Sequence, residues 1–181
     1  MSIIDKYISD NINMDSVTIL HSWRTSYLAS YLAMCTGVFT SSEVEKIKEL
    51  ALLHDIGKCN IPIYILNKSE ILSKDEYQII KKHPIYSQEI LSSYGYSKKD
   101  LFVIRSHHEK LDGSGYPDGL TKNQIPLETQ IITIADIYDA LTSVRNYRVK
   151  LPGLKYDHES AINIMKTMPG LNLNLIKDLN T

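Results

Sequence analysis

Apolar residues recur along this chain at helical spacing, with short breaks between the runs. The first run spans about Asp15 to Thr36. In it Leu20, Trp23, Tyr27, Leu28, Tyr31 and Leu32 form one stripe, and Gly37 supplies a stop. A second helix is predicted from Thr40, whose spacing to Glu43 is that of a capping box. Val44, Ile47, Leu50, Ala51 and Leu53 form its apolar side, and Gly57 is its expected end. Residues 59 to 72 hold Pro62 and short alternating apolar groups, which predicts a turn with a single turn of helix. Ser73 with Glu76 marks another start, Pro84 opens a helix through Leu91, and Ser97 to His108 forms a further one. Helix returns from about Leu127 to Ser143, with Ile131, Ile134, Ala135, Ile137, Tyr138 and Leu141 as its core side. Asp157 caps a penultimate helix through Met165, and a short helix closes the chain. No alternation is strong enough for a strand, so the expected fold class is all-α, a single compact helical domain.

The longest break, residues 109 to 126, holds Gly113, Gly115, Pro117, Gly119 and Pro126. An ordered loop of this length inside a compact domain is usually functional, and the glycines open backbone conformations closed to other residues. The division expected is an N-terminal segment, 1–14, followed by one domain over 15–181.

Composition adds exclusions. With 181 residues, 43% hydrophobic and 23% charged, the chain is an ordinary globular one. A formal net charge of -1 gives no broad positive field for duplex nucleic acid, though a local basic cluster would still meet a small anion. Cys35 and Cys59 are too few for a disulfide scaffold and are expected as buried, reduced thiols. No signal-peptide core, lipid-anchor motif or membrane-length apolar run is present, so a cytoplasmic protein without membrane contact is expected.

The candidate chemistry lies in histidines and aspartates. His54 and Asp55 are adjacent near the end of the second helix. Neighbours on a helix point about 100° apart, so the pair would grip one ion from two directions or bridge two. A carboxylate near a helix C-terminus opposes the dipole, and a bound cation offsets that cost. His107-His108 is a similar pair before the glycine-rich loop. His83 opens a helix before Pro84, and His21 lies one position past the Leu20 stripe. Asp136 sits mid-helix among core residues, where an unpaired carboxylate would cost several kcal/mol. His158, between Asp157 and Glu159, is expected at the surface. Together His21, His54, Asp55, His83, His107, His108 and Asp136 make seven ligand candidates, more than one ion needs. Paired ions sharing a carboxylate use that many, and they are a standard device for cutting phosphate esters. Imidazole and carboxylate without thiolate favour iron, manganese or zinc.

These residues resemble the HD-GYP branch of the HD phosphohydrolase superfamily. The resemblance is carried by His54-Asp55-Ile56-Gly57-Lys58, His83-Pro84, His107-His108-Glu109, the stretch Asp112 to Leu120, Ile125 to Glu128, and Ala135 to Ser143. Ile61-Pro62 and Ile65 to Lys68 extend it, and it runs from about His21 to Gly170. It implies an all-helical fold around a metal cluster, with hydrolysis of cyclic di-GMP to the linear dinucleotide pGpG and often onward to GMP. It implies that the seven residues above are the ligands of two divalent ions, iron or manganese first and zinc next. Asp55 would bridge the ions and help hold the attacking hydroxide between them. Some members bind a third ion through a glutamate where this chain has Val17, so two ions are favoured.

The same resemblance implies that Lys58 contacts substrate phosphate and acts with Asp55 in catalysis. It gives Tyr116, in the loop that names the branch, a phosphate or a base to bind, and it makes Arg145 and Arg148 a phosphate-gripping pair. Gln130, Ser69-Glu70 and Ser87 depart from the usual arginine, Pro-Gly and glycine, and none of them is a ligand position. Members usually carry a receiver or sensory domain. A chain of this length leaves no room for one, so a separate sensory or cyclase protein, or a second copy in a homodimer, is the expected kind of protein partner.

Three other readings compete. One is a superfamily phosphohydrolase acting on another nucleotide or cyclic dinucleotide, which the loop from Asp112 to Leu120 argues against. Another is a non-catalytic module that binds the dinucleotide or docks on a cyclase, which the full ligand set argues against. The last is a helical scaffold with core histidines, which leaves two adjacent ligand pairs unexplained.

Overall fold

The computed structural model describes residues 16–143 and 155–179, and every regular element in that range is helical. In chain order these are α1 (Ser16–Thr36), α2 (Ser41–Leu53), a 3-10 turn (Ile56–Asn60), α3 (Ile63–Leu66), α4 (Lys74–Ile80), α5 (His83–Ser93), α6 (Lys98–Arg105), a second 3-10 turn (Lys122–Gln124), α7 (Leu127–Thr142), α8 (His158–Thr167) and α9 (Leu173–Asp178). Among the described residues the extended pairing is limited to one bridge, between Asp112 and Thr121. No helix among them is long and apolar enough to cross a membrane.

The helices begin where their caps dictate. Thr40, Ser73 and Ser97 each accept the backbone N–H three residues on, and the side chain at that third position returns to the cap's own N–H. Asp157 caps α8 by accepting from the Ser160 N–H. Helix α1 packs along α2 and α7, while α5 packs on α6 and on the first 3-10 turn. Leu32, Ile47, Leu50, Leu53, Leu91, Ile104, Ile131, Ile132, Met165 and Ile176 fill the shared core.

Three expectations are corrected. The apolar stripe of α1 is divided: Leu32 is fully buried and Leu28 packs against the core, but Leu20 is 55% and Tyr27 58% exposed. Beside Leu32 the buried face consists of His21, Ser22, Thr25, Ser26, Ala29 and Ala33. Small side chains let α1 approach its neighbours closely. Two hydroxyls on this side turn back on the helix, Ser26 donating to Trp23 O and Ser30 to Tyr27 O, so burial leaves those two satisfied.

The second correction concerns helix ends. α2 stops at Leu53 and α6 at Arg105, so His54-Asp55 and His107-His108 lie just beyond their helices rather than in the last turns. The third concerns the thiols, since Cys35 and Cys59 are both exposed.

Gly57 shows why the first 3-10 turn sits so close to α5. A Cβ there would fall 2.1 Å from His83 O and 2.4 Å from Ser87 N. Ser87 fills the contact, donating to His54 O and accepting from the Gly57 N–H, both at 2.8 Å. Ser87 thus ties the His54-Asp55 segment to α5, the helix that starts at His83.

Candidate metal centre

All seven ligand candidates converge. Donor atoms of Asp55, His83, His107 and His108 lie within 4.8 Å of one another, as do those of His21, His54 and Asp55. Asp55 belongs to both groups and turns a different oxygen to each. Its Oδ2 lies 3.3 Å from His54 Nε2 and 3.7 Å from His21 Nε2, while its Oδ1 lies 3.1 Å from His83 Nε2. Asp136, on α7, reaches both groups as well. Its Oδ1 is 2.9 Å from His21 Nε2, and its Oδ2 is 3.9 Å from His108 Nδ1.

The helix ends explain how the rings are aimed. Nδ1 of His54 donates to Ala51 O at 2.6 Å, Nδ1 of His83 to Ile80 O at 2.8 Å, and Nδ1 of His107 to Ile104 O at 2.6 Å. Each ring takes the carbonyl three residues back, a group that has no N–H partner at the end of a helix. A carbonyl only accepts, so the proton is on Nδ1 and the lone pair on Nε2 points into the centre. His54 Nε2 is buried and makes no hydrogen bond. A buried acceptor in that state is costly unless a cation takes the lone pair. The donor set of imidazoles and carboxylates therefore fits divalent cations.

His21 is oriented by other means. Its Nδ1 lies 2.6 Å from Asp139 Oδ2. Asp139 also accepts from Arg24 Nε at 2.5 Å and from Ser143 Oγ at 2.9 Å. Sequence reasoning missed Arg24 and Asp139 as site residues. The available signal was their spacing: each lies three residues beyond a ligand candidate on the same helix, Arg24 after His21 and Asp139 after Asp136.

Burial alone would raise the Asp55 and Asp136 carboxyls. His54 and Lys58 outweigh that at Asp55, and His21 does so at Asp136, so both stay well below the usual range. Burial and the neighbouring histidines push His107 down, and burial above all takes His108 to about 3. Neutral imidazoles and ionised carboxylates are the forms that bind metals. His21 differs again. Burial pulls it down, but hydrogen bonds to Asp136 and Asp139 raise it to about 9.

Beside the cluster lies the glycine-rich loop, anchored by a residue that the sequence did not single out for a role. Glu109 is 2% exposed, and its carboxylate accepts the N–H groups of Asp118, Gly119 and Leu120 at 2.6, 3.1 and 2.9 Å. Its place directly after the histidine pair and before the loop was the usable clue. Gly113 and Gly119 have φ of 80° and 67°, as the loop requires. Gly115 serves differently, since a Cβ there would fall 2.4 Å from Glu109 Cα. Arg105 closes the outside with two contacts to Asp118, at 2.6 and 2.7 Å. The Tyr116 ring stacks on His108 with centroids 4.7 Å apart.

The loop borders a cleft of about 470 Å³ whose wall includes Lys58, Tyr77, Lys81, His108, Tyr116 and Asp136. That is the size of a small-molecule site. Lys58 lines the cleft and also contacts the shared carboxylate, its Nζ 2.5 Å from Asp55 Oδ2. Arg145 and Arg148 lie outside the described residues. His158 is exposed as expected, 2.9 Å from the Tyr138 hydroxyl.

A family model described as "HD domain" matches residues 9–173. The chain belongs to the HD-domain family. The motif from Asp112 to Leu120 sets it in the HD-GYP branch. It is 41% identical over 127 residues to the "Cyclic di-GMP phosphodiesterase response regulator RpfG" of Xanthomonas campestris, covering 69% of this chain and 33% of that protein. It is 37% identical over 132 residues to the "3'3'-cGAMP-specific phosphodiesterase 3" of Vibrio cholerae, covering 73% of this chain and 28% of that one. The chain thus spans about a third of the length of these curated relatives. Among solved structures it resembles Bd1817, an HDG"Y"P protein from Bdellovibrio bacteriovorus, with a TM-score of 0.71 and 21% identity over 96% of this chain and 55% of that one. That likeness is one of fold, an all-helical HD-type domain.

Proposed function

We propose that this chain is a metal-dependent phosphodiesterase that opens cyclic di-GMP to linear pGpG and carries part of it on to GMP. The observation that carries the reading is the seven-residue convergence on Asp55, whose two oxygens face two ligand groups. Two ions are proposed, iron or manganese, one held by His21, His54, Asp55 and Asp136 and the other by Asp55, His83, His107, His108 and Asp136. The unit proposed to do this is residues 15–181.

Bound there, divalent cations activate water and offset the charge of a phosphodiester. The protein's own groups do the rest. The carbonyl-bound histidines keep their lone pairs aimed at the centre. Lys58 carries its charge from Asp55 towards the cleft, where it neutralises a phosphoryl oxygen or the leaving oxygen. Tyr116 offers a ring face to a base or a hydroxyl to a phosphate. Arg145 and Arg148 are assigned to phosphate binding from their position after the last metal helix.

A second reading, hydrolysis of a mixed cyclic dinucleotide, is favoured by the relative named for 3'3'-cGAMP. One assay separates the two. Protein purified without oxygen is loaded with iron, manganese or zinc and given cyclic di-GMP, 3'3'-cGAMP and cyclic di-AMP, with products resolved by chromatography. Fastest turnover of cyclic di-GMP supports the first reading, and a preference for 3'3'-cGAMP supports the second. No turnover of any of the three with any metal contradicts both.

A further inference from the structure

We propose that Lys81 holds the phosphate of the cyclic dinucleotide that is not being cut, and so selects dinucleotides over substrates with a single phosphodiester. The inference rests on the phosphodiesterase reading above. Lys81 closes α4, two residues before His83, and lines the cleft. Its ammonium lies 4.7 Å from the centre of the Tyr116 ring and 5.6 Å from that of Tyr77. The Tyr116 ring in turn stacks on His108, again at 4.7 Å. Two short steps therefore connect a metal-ligand candidate to this cation.

The charges in the cleft are graded. Asp136 lines the cleft and Asp55 is buried beside it; both engage the histidines, and Lys58 is engaged on Asp55. Lys81 and Lys110 stand further out and are half-buried. Lys81 makes no ion pair among the described residues, whereas Lys110 lies in the field of Asp112. An aromatic face restrains an ammonium without neutralising it, so Lys81 keeps its charge for an anion. A substrate cut at the floor needs no cation at the rim. A cyclic dinucleotide does, because its second phosphate lies on the opposite edge of the same macrocycle.

The test compares Lys81→Gln and Lys81→Arg with the unaltered chain, all loaded with manganese. Substrates are cyclic di-GMP and bis(p-nitrophenyl) phosphate, a diester with one phosphate. Lys81→Gln should raise the KM for cyclic di-GMP about tenfold with kcat within about threefold, the loss of one charge-assisted contact. The ratio of kcat/KM between the two substrates should fall by the same factor, and Lys81→Arg should restore most of it. An unchanged KM in Lys81→Gln, or an equal loss on both substrates, overturns the role of Lys81; equal loss would mean that it only props Tyr116. If the unaltered chain cleaves bis(p-nitrophenyl) phosphate but no cyclic dinucleotide, the reading beneath the inference fails as well.

Discussion

The histidines of the cluster are held in two different ways. His54, His83 and His107 each give their Nδ1 proton to a main-chain carbonyl three residues back. His21 leans on the carboxylate of Asp139, which is itself held by Arg24 and Ser143. The first arrangement is written into the helix ends and has no side chain that could be altered to undo it. The second is assembled from side chains on two helices, α1 and α7, so it can be undone without touching a ligand. One centre therefore has a side fixed by its backbone and a side tunable by mutation.

The largest effect should come from the residue the two sides share. Asp55→Ala removes a ligand from both groups, and turnover should fall about a thousandfold or more, because each 1.4 kcal/mol of lost stabilisation is tenfold. Bound metal, measured by mass spectrometry, should fall with it while the far-ultraviolet circular dichroism stays helical. Normal turnover with metal stripped would break the picture. Next comes Asp139→Asn, which keeps the shape and loses the charge on His21. Removing such a partner costs about 10- to 100-fold in metal affinity or activity. The loss should fall on one ion of the pair, visible as a biphasic metal titration. If both ions weaken equally, the two sides are not separable.

A smaller effect tests the loop. Glu109→Gln exchanges two acceptor oxygens for one, so the N–H groups of Asp118, Gly119 and Leu120 lose part of their anchor. A buried group left unpaired costs about 1–3 kcal/mol, which should appear as a lower midpoint of thermal unfolding and faster proteolysis near Tyr116.

The smallest effect is the outer clamp. Arg105 holds the Asp118 carboxyl below its usual range. A depressed folded-state value means that the stability is present above the ordinary pKa of 3.8 and is lost as the pH falls below it. Arg105→Gln should therefore lower stability slightly at neutral pH, by no more than about 1 kcal/mol because exposed pairs contribute little, and the difference from the unaltered chain should disappear as the pH falls below about 4. A loss at neutral pH as large as that of Glu109→Gln would mean that the clamp is not peripheral.

Much of this was legible in the sequence. Two of the three capping boxes, Thr40 with Glu43 and Ser73 with Glu76, named their helix starts, since an oxygen at the cap and a carboxylate three residues later leave few other conformations. The ligand candidates could be found because paired histidines and buried aspartates are costly without a purpose. The face of α1 was only partly legible, because hydrophobicity is not the same as burial: Leu32 is in the core. Leu20 and Tyr27 remain outside, while Ser22, Thr25 and Ser26 go inside because they are small, with Ser26 returning its hydroxyl to Trp23 O. The helix ends were overrun because periodicity continues through His54 and His107, and only the carbonyl contacts reveal where the path turns. Glu109, Asp139 and Arg24 were missed because their roles depend on groups 9 to 118 positions away, a distance no local pattern spans.

The most direct measurement is anomalous diffraction from crystals of the chain loaded with manganese without oxygen. Two peaks are expected, flanking Asp55, one on the side of His21 and His54 and one on the side of His83, His107 and His108. A single peak, or peaks away from Asp55, would contradict the shared-carboxylate centre.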